Sequence, residues 1–149
     1  MSTLQQQLTD AMKEAMRTKD AKRLGTIRMA LAAIQQVAVD ERITPDDTRV
    51  LAILDKQIKQ RNDSITQFRS AGRDDLADNE VAEVEILQSF MPPPLDEVEI
   101  NAAIAQAISD SGAASMQDMG KVMALLKPRL QGRADMSAVS ALIRKRLAG

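Results

Sequence analysis

Apolar side chains recur every three or four residues along most of the chain, and this spacing constrains the fold more than any other feature. The stretch from residue 24 to residue 38 is typical, with Leu24, Ile27, Leu31 and Ile34 in one register. Such spacing places apolar groups on one face of an amphipathic helix. No stretch alternates between apolar and polar residues for long enough to indicate a strand. The sequence therefore predicts an all-α protein.

Start and stop signals divide this pattern into seven helices. Asp20 stands before the second apolar stripe, and Asp96 with Glu99 forms a capping-box pattern before the fifth. Gly72 and Gly112 follow the third and fifth stripes, where a glycine commonly ends a helix. A further start signal at 44–47, Thr-Pro-Asp-Asp, predicts a helix with proline at its first position.

A run of three prolines, residues 92–94, interrupts the helical pattern. Proline cannot continue a helix, and a run of prolines stiffens the segment that contains it. We interpret residues 92–94 as a linker between an N-terminal helical domain of about four helices, residues 1–91, and a small three-helix domain, residues 95–149.

The residue types that most often carry enzyme chemistry are missing. The chain has no His and no Cys, which removes the usual general base, thiolate and transition-metal ligands. We therefore expect no catalytic residues, no metal and no cofactor, and no catalytic activity by this chain alone. No stretch approaches the roughly 20 apolar residues that span a bilayer, so we expect no membrane partner. The N-terminal residues do not resemble a secretory signal peptide, and on that basis we expect a cytoplasmic location.

Charge is distributed unevenly although the net charge is only −1. From residue 74 to residue 99 there are nine acids and no base, and from residue 120 to the end there are seven bases and one acid. This pattern fits ordinary solvated helix faces, and it fits equally well a surface that binds a partner of opposite charge.

The stretch MGKVMALLKPRLQGRADM, residues 119–136, holds two Gly-base pairs, Gly120-Lys121 and Gly132-Arg133. It lacks the GKS or GKT ending and the preceding strand of a nucleotide-binding loop. Gly120 is expected to let another backbone pack closely, or alternatively to let a phosphate approach the helix N-terminus beside Lys121. We expect Arg133, which lies between two helix ends, to be the base most freely available to a partner.

Pro128 lies in the same stretch and cannot donate a hydrogen bond to the carbonyl of Ala124. The sixth helix should therefore kink or end near Leu126. Gly132 then reverses the chain, and Asp135 begins the seventh helix.

Arg61 lies on the apolar stripe of the third helix, where an unpaired charge is costly. Arg61 is eleven residues before Gly72, and Glu83 is eleven residues after it. In a helical hairpin that turns at Gly72, Arg61 should therefore pair with Glu83 or with neighbouring Glu80. We interpret this set as a structural ion pair that fixes the register of the hairpin.

These residues also carry a resemblance to a known family. Arg61, the segment Ala71-Gly72-Arg73-Asp74, and Glu80 with Glu83 resemble the GatB/YqeY family, specifically its stand-alone YqeY-like proteins. The resemblance continues through residues 119–123, MGKVM, and 132–135, GRAD, and it covers essentially the whole chain. The last third to half of the chain is also similar to the helical tail of the B subunit of aminoacyl-tRNA amidotransferases.

The resemblance implies contact with tRNA, because the amidotransferase tail domain contacts tRNA while the chemistry lies in other domains. Carried over to this sequence, it implies RNA contact at Gly120, Lys121, Gly132 and Arg133. Flanking candidates are Lys127, Arg129, Arg144 and Lys145.

Three functions remain open at this point. The first is a non-catalytic accessory protein that binds tRNA or an aminoacyl-tRNA-handling enzyme. The second is a component of a carbon–nitrogen ligase with glutamine as amido-N-donor, an activity that the family label implies and that would need partner chains. The third is a protein-interaction module that uses the acidic segment 74–99.

Overall fold

The computed structural model describes residues 3–148, and within them the chain forms seven α-helices and no strand. The predicted all-α fold is thus confirmed. The helices are α1 (Thr3–Thr18), α2 (Ala21–Glu41), α3 (Asp47–Ser70), α4 (Asp74–Gln88), α5 (Glu97–Ser111), α6 (Met119–Leu130) and α7 (Met136–Ala148), with a short 3₁₀ turn at Met116–Asp118 before α6. Contacts group the helices into two compact units, the first ending at Pro92 and the second beginning at Pro93.

The first unit contains α1 to α4 around an aliphatic core. Leu8, Ile27, Ile34, Leu54 and Leu87 are fully buried, at least one from each helix. Burying a side chain of this size contributes roughly 1.5–3 kcal/mol relative to leaving it in water. The core therefore needs no aromatic centre, although Phe90 packs at its edge.

Local capping sets the helix starts in this unit. The Asp20 carboxylate accepts a hydrogen bond from the Arg23 amide, as the sequence predicts. The predicted start of α3 at Pro45 is wrong, because the helix begins at Asp47. Asp46 is its N-cap and accepts from the Arg49 amide at 2.9 Å, which satisfies one of the amides that a helix start leaves unpaired.

Arg61 joins the two helices of the α3–α4 hairpin. Its side chain is only 8% exposed, and its Nε lies 3.1 Å from Oε2 of Glu83 and 3.9 Å from Oε2 of Glu80. Its two terminal nitrogens contact the Gln57 carbonyl at 3.5 Å and the Met29 sulfur at 3.7 Å. The guanidinium therefore touches α2, α3 and α4 at one point, and its charge is balanced where water is largely excluded.

The second unit contains α5 to α7 around Ile104, Leu126 and Ile143, all of which are fully buried. Asp96 and Glu99 form the predicted capping box at the start of α5. Gly112 ends α5 with φ +69°, a left-handed conformation that favours glycine.

Of the two alternatives predicted for α6, an end near Leu126 is wrong, whereas a kink at that point stays a prediction. The helix continues through Pro128 to Leu130, whose side chain is fully buried in the second core. Pro128 has no N–H to donate to the Ala124 carbonyl, so α6 has one hydrogen bond fewer. Only the last two residues of the helix follow Pro128, so any distortion at the proline affects a short segment. Gly132, at φ +80°, then reverses the chain, and the Asp135 carboxylate accepts from the Ser137 amide at the start of α7.

We predict that Glu83→Gln lowers the free energy of unfolding by about 1–3 kcal/mol, because it leaves the Arg61 charge with only the more distant Glu80. Adding Arg61→Met should recover part of this loss, since it removes the uncompensated charge. Urea unfolding followed by circular dichroism measures both effects, and it suits a chain that has neither Trp nor Tyr.

The matched control is Arg69→Gln, which removes an arginine from exposed pairs on the same hairpin. We expect it to cost at most about 1 kcal/mol. If Glu83→Gln proved no more destabilising than Arg69→Gln, Arg61 would not depend on its carboxylate partners.

We further predict that Pro128→Ala stabilises the chain by about 1 kcal/mol, because alanine restores a donor for the Ala124 carbonyl and a good helix former. The midpoint of thermal unfolding should rise. Pro94→Ala is the control, since Pro94 lies outside any helix and its replacement gains no such bond. An unchanged or lower midpoint for Pro128→Ala would mean that the proline costs α6 nothing.

Candidate nucleic-acid interface

The exposed face of α6 carries three of the candidate residues. Gly120, Lys121 and Lys127 are exposed, whereas Val122 and Leu126 point into the core. At 100° per residue, positions 120, 121 and 127 lie within about a third of a turn of one another, opposite the buried stripe. The helix thus presents two lysines beside a position that has no side chain.

Gly120 has no neighbour to pack against among the described residues. Apart from its chain neighbours and the backbone of its own helix, a Cβ built on it would meet no atom within 4 Å. Within the described residues, the expectation that this glycine lets another backbone pack closely is therefore wrong. Ala124, one turn further along, is also exposed, so this strip of α6 presents only small side chains to solvent.

The N-terminus of α6 is not an open anion site either. The 3₁₀ turn precedes it directly, and the Met119 amide already donates to the Met116 carbonyl. The Asp118 carboxylate accepts from the amides of Ala114 at 3.0 Å and Ser115 at 3.3 Å. These bonds, the one from Ala114 foremost, hold the pKa of Asp118 below its usual value, and they keep a negative charge where a phosphate would have to bind.

Lys121 nevertheless remains available at this end of the helix. Its side chain is 70% exposed, and its Nζ lies 3.7 Å from Oδ1 of Asp118, a loose contact between exposed groups. Such pairs are worth at most about 1 kcal/mol in water, so a phosphate can compete for the lysine.

Arg129 and Arg133 each contact a partner in the same unit. Arg129 lies about 80° around α6 from Lys121, and its Nη2 is 3.5 Å from a carboxylate oxygen of Asp110 on α5. Arg133 follows the Gly132 turn and is half-buried. Its Nε donates to the Pro93 carbonyl at 3.1 Å, and its own carbonyl accepts from the Leu95 amide at 2.8 Å. The expectation that Arg133 is the most available base is therefore wrong, because this residue anchors the segment that leads into α5.

The last turns of α7 hold three consecutive bases, Arg144, Lys145 and Arg146, all exposed. Within the part of the chain that the structure describes, neither these three nor Lys127 forms an ion pair. Arg146 was not among the sequence candidates, although its exposure matches that of its neighbours. The only acid after Gly120 is Asp135, which caps α7.

Unlike the bases of α7, most of the acidic side chains on α4 form ion pairs with arginines of the same unit. Arg69 bonds Asp74 and Asp78, at 3.3 and 3.2 Å, and Arg73 bonds Asp75 at 3.2 Å. The bond from Arg73 also holds the pKa of Asp75 below its usual value. Together with the pair at Arg61, these contacts engage five of the six acids on α4.

Two other kinds of feature have no counterpart among residues 3–148. No group of three or more acidic side chains there is placed to hold a metal ion. No helix in the same range is long and apolar enough to cross a membrane.

Three fungal relatives are similar to this chain, and each bears the name "Altered inheritance of mitochondria protein 41, mitochondrial". The protein from Pyrenophora tritici-repentis is 33% identical over 79% of this chain and 68% of its own length. The one from Eremothecium gossypii is 38% identical over 67% and 56%, and the one from Kluyveromyces lactis is 34% identical over 69% and 57%. This chain thus spans little more than half the length of two of these relatives.

These names overturn the expectation of a cytoplasmic location, since the relatives are called mitochondrial. The expectation was wrong because it rested on the lack of an apolar secretory signal. That observation concerns the secretory route alone, since mitochondrial transit peptides are amphipathic and Arg-rich.

The family model described as "Yqey-like protein" matches residues 5–147, which is nearly the whole sequence. The match spans both compact units, including the Arg61 hairpin and the α6–α7 segment. The chain therefore belongs to the YqeY-like protein family.

Proposed function

We propose that this chain is an RNA-binding accessory protein whose C-terminal unit contacts the phosphates of a structured RNA, with tRNA as the first candidate. One observation carries the proposal. The exposed bases of α6 and α7, namely Lys127, Arg144 and Lys145, have no acidic partner within the described residues, and Lys121 has only a loose one.

The first unit supports this interpretation by contrast. Three of its arginines, Arg61, Arg69 and Arg73, are bonded to carboxylates of α4. The seven bases after Gly120 share their stretch of sequence with one acid, Asp135, so they offer an anionic partner a more concentrated positive charge than α4 and its arginines do.

The kind of anion follows from what the second unit lacks. It contains no aromatic residue, so it has no platform on which unpaired bases can stack. Recognition must then depend on phosphates and on shape, which favours a folded, double-helical RNA over a single strand. About 9 Å of helix axis separates Lys121 and Lys127, so these two lysines can reach different phosphates of one backbone.

The other two functions have weaker support. A basic partner at the acidic segment would have to compete with the arginines that already pair with five of the six α4 carboxylates, and two of those carboxylates are held by the buried Arg61. No observation among the described residues favours glutamine-dependent amide transfer. Release of ammonia from glutamine by the pure chain would be evidence for that activity.

We predict that Lys121→Glu/Lys127→Glu weakens tRNA binding by about tenfold or more at low salt. The slope of log affinity against log salt should become shallower by about two, one for each lost phosphate contact. Fluorescence anisotropy of labelled tRNA across a salt series measures both quantities. Both lysines are exposed, so the double variant should fold normally.

The control is Lys13→Glu/Lys56→Glu, which changes the net charge by the same amount through exposed lysines of the first unit. It should retain most of the wild-type affinity. If both double variants and the wild type bound tRNA with equal affinity at every salt concentration, the α6 surface would be excluded as the RNA site.

A further inference from the structure

A groove of about 450 Å³ lies between α2 and α3 in the first unit. Its floor is formed by Ala33 and Val37 of α2 and by Ala52 and Ile53 of α3. Because two of these four side chains are alanines, the space between the helices is left unfilled. The volume falls within the range of ligand sites in proteins, and the floor is apolar as such sites usually are.

The groove is elongated along the helices. The residues of α3 that line it run from Arg49 to Gln60, eleven positions apart, which is about 16 Å or three helical turns. A three-turn segment is the length over which a bound amphipathic helix places its apolar anchors at i, i+3, i+4 and i+7.

An exposed apolar group continues this surface beyond the cavity itself. Met29 is 54% exposed and lies four residues before Ala33, on the same face of α2. A small molecule inside the cavity would leave this side chain in water. A protein segment laid along the groove would cover it, which favours a macromolecular occupant.

The rim of the groove is positively charged. Arg49 and Lys56 both line it, and Gln60 adds a neutral amide. Arg49 is already bonded to Glu41, whereas Lys56 forms no ion pair among the described residues. An occupant with an acidic side chain beside its apolar stripe would therefore complement the rim at Lys56 first.

Gln57 in the same wall has an unsatisfied group. Its amide nitrogen donates to the Met29 carbonyl at 3.4 Å, a long hydrogen bond that leaves the side chain able to turn. Its oxygen Oε1 is buried and has no donor. A buried acceptor without a donor costs free energy, so a small turn of this side chain toward a donor on an incoming partner would be favourable.

We propose that the α2–α3 groove binds an amphipathic helix of a partner protein, with an apolar stripe on the groove floor and acidic residues beside Lys56 and Arg49. The length of the groove, its apolar extension along α2, its free cation and the unsatisfied Gln57 all favour this occupant. The proposal concerns the first unit and does not depend on RNA binding by the second.

The test uses the full chain, labelled with ¹⁵N, and two synthetic helical peptides. Both peptides carry leucines at i, i+3, i+4 and i+7, and the leucines are flanked by Glu in one peptide and by Lys in the other. The Glu peptide should shift the amide signals of Ala33, Val37, Ala52, Ile53 and Gln57, and the Lys peptide should bind more weakly. Lys56→Glu should weaken binding of the Glu peptide by about tenfold and should strengthen binding of the Lys peptide.

Two variants serve as controls. Lys13→Glu, an exposed change on α1, should leave both peptide affinities unchanged. Lys121→Glu/Lys127→Glu should also leave them unchanged, and Lys56→Glu should leave tRNA affinity unchanged. Failure of the groove proposal and failure of the RNA proposal are therefore distinguishable.

Several outcomes would overturn the proposal. The first is an absence of peptide-induced shifts at millimolar peptide, and the second is equal binding of both peptides with no response to Lys56→Glu. If decanoate alone shifted the groove signals, the occupant would be a small amphipathic carboxylate and no helix. If the groove signals of the free chain moved on dilution, the occupant would be a second copy of this chain.

Discussion

The buried charge of Arg61, which needs a carboxylate partner on α4, is the constraint that ties α3 to α4 in the N-terminal unit. A guanidinium on an apolar stripe is tolerated only where its charge is balanced, and Glu83 at 3.1 Å provides that balance. Because the pair joins positions equally distant from the Gly72 turn, it also fixes how α3 and α4 align. Replacing both partners by apolar residues need not unfold such a hairpin, but removing one partner leaves a buried charge without compensation.

The same use of charge separates the two units and underlies the functional proposals. In the first unit, carboxylates of α4 are engaged by arginines of the same hairpin, and Lys56 is left exposed at the rim of the α2–α3 groove. In the second, seven bases and one acid follow Gly120, and Lys127 forms no ion pair within the described residues. Each unit thus offers a different kind of surface, one mixed apolar and basic, the other basic and smooth.

Local signals in the sequence predicted the helices, and non-local contacts explain where prediction failed. Asp96 and Glu99 are three residues apart, so their capping box can be read directly from the sequence. The bond from Arg133 to the carbonyl of Pro93 joins residues 40 positions apart, and no local pattern signals it. The α2–α3 groove escaped prediction for the same reason, because its lining combines residues of two helices, such as Ala33 and Ala52, that are far apart in the sequence. Membership of the YqeY-like family was apparent from motifs, while the RNA-contact residues remain predictions.

The measurement that bears most directly on the central claim is hydrogen–deuterium exchange of the wild-type chain with and without tRNA, at low and at high salt. RNA contact with the C-terminal unit predicts slower exchange in peptides covering α6 and α7, residues 119–148, together with loss of this protection as salt screens the phosphates. Peptides from α1 to α4 should be unaffected. Protection confined to residues 3–88, or no protection in α6 and α7 under conditions where tRNA is bound, would contradict the claim.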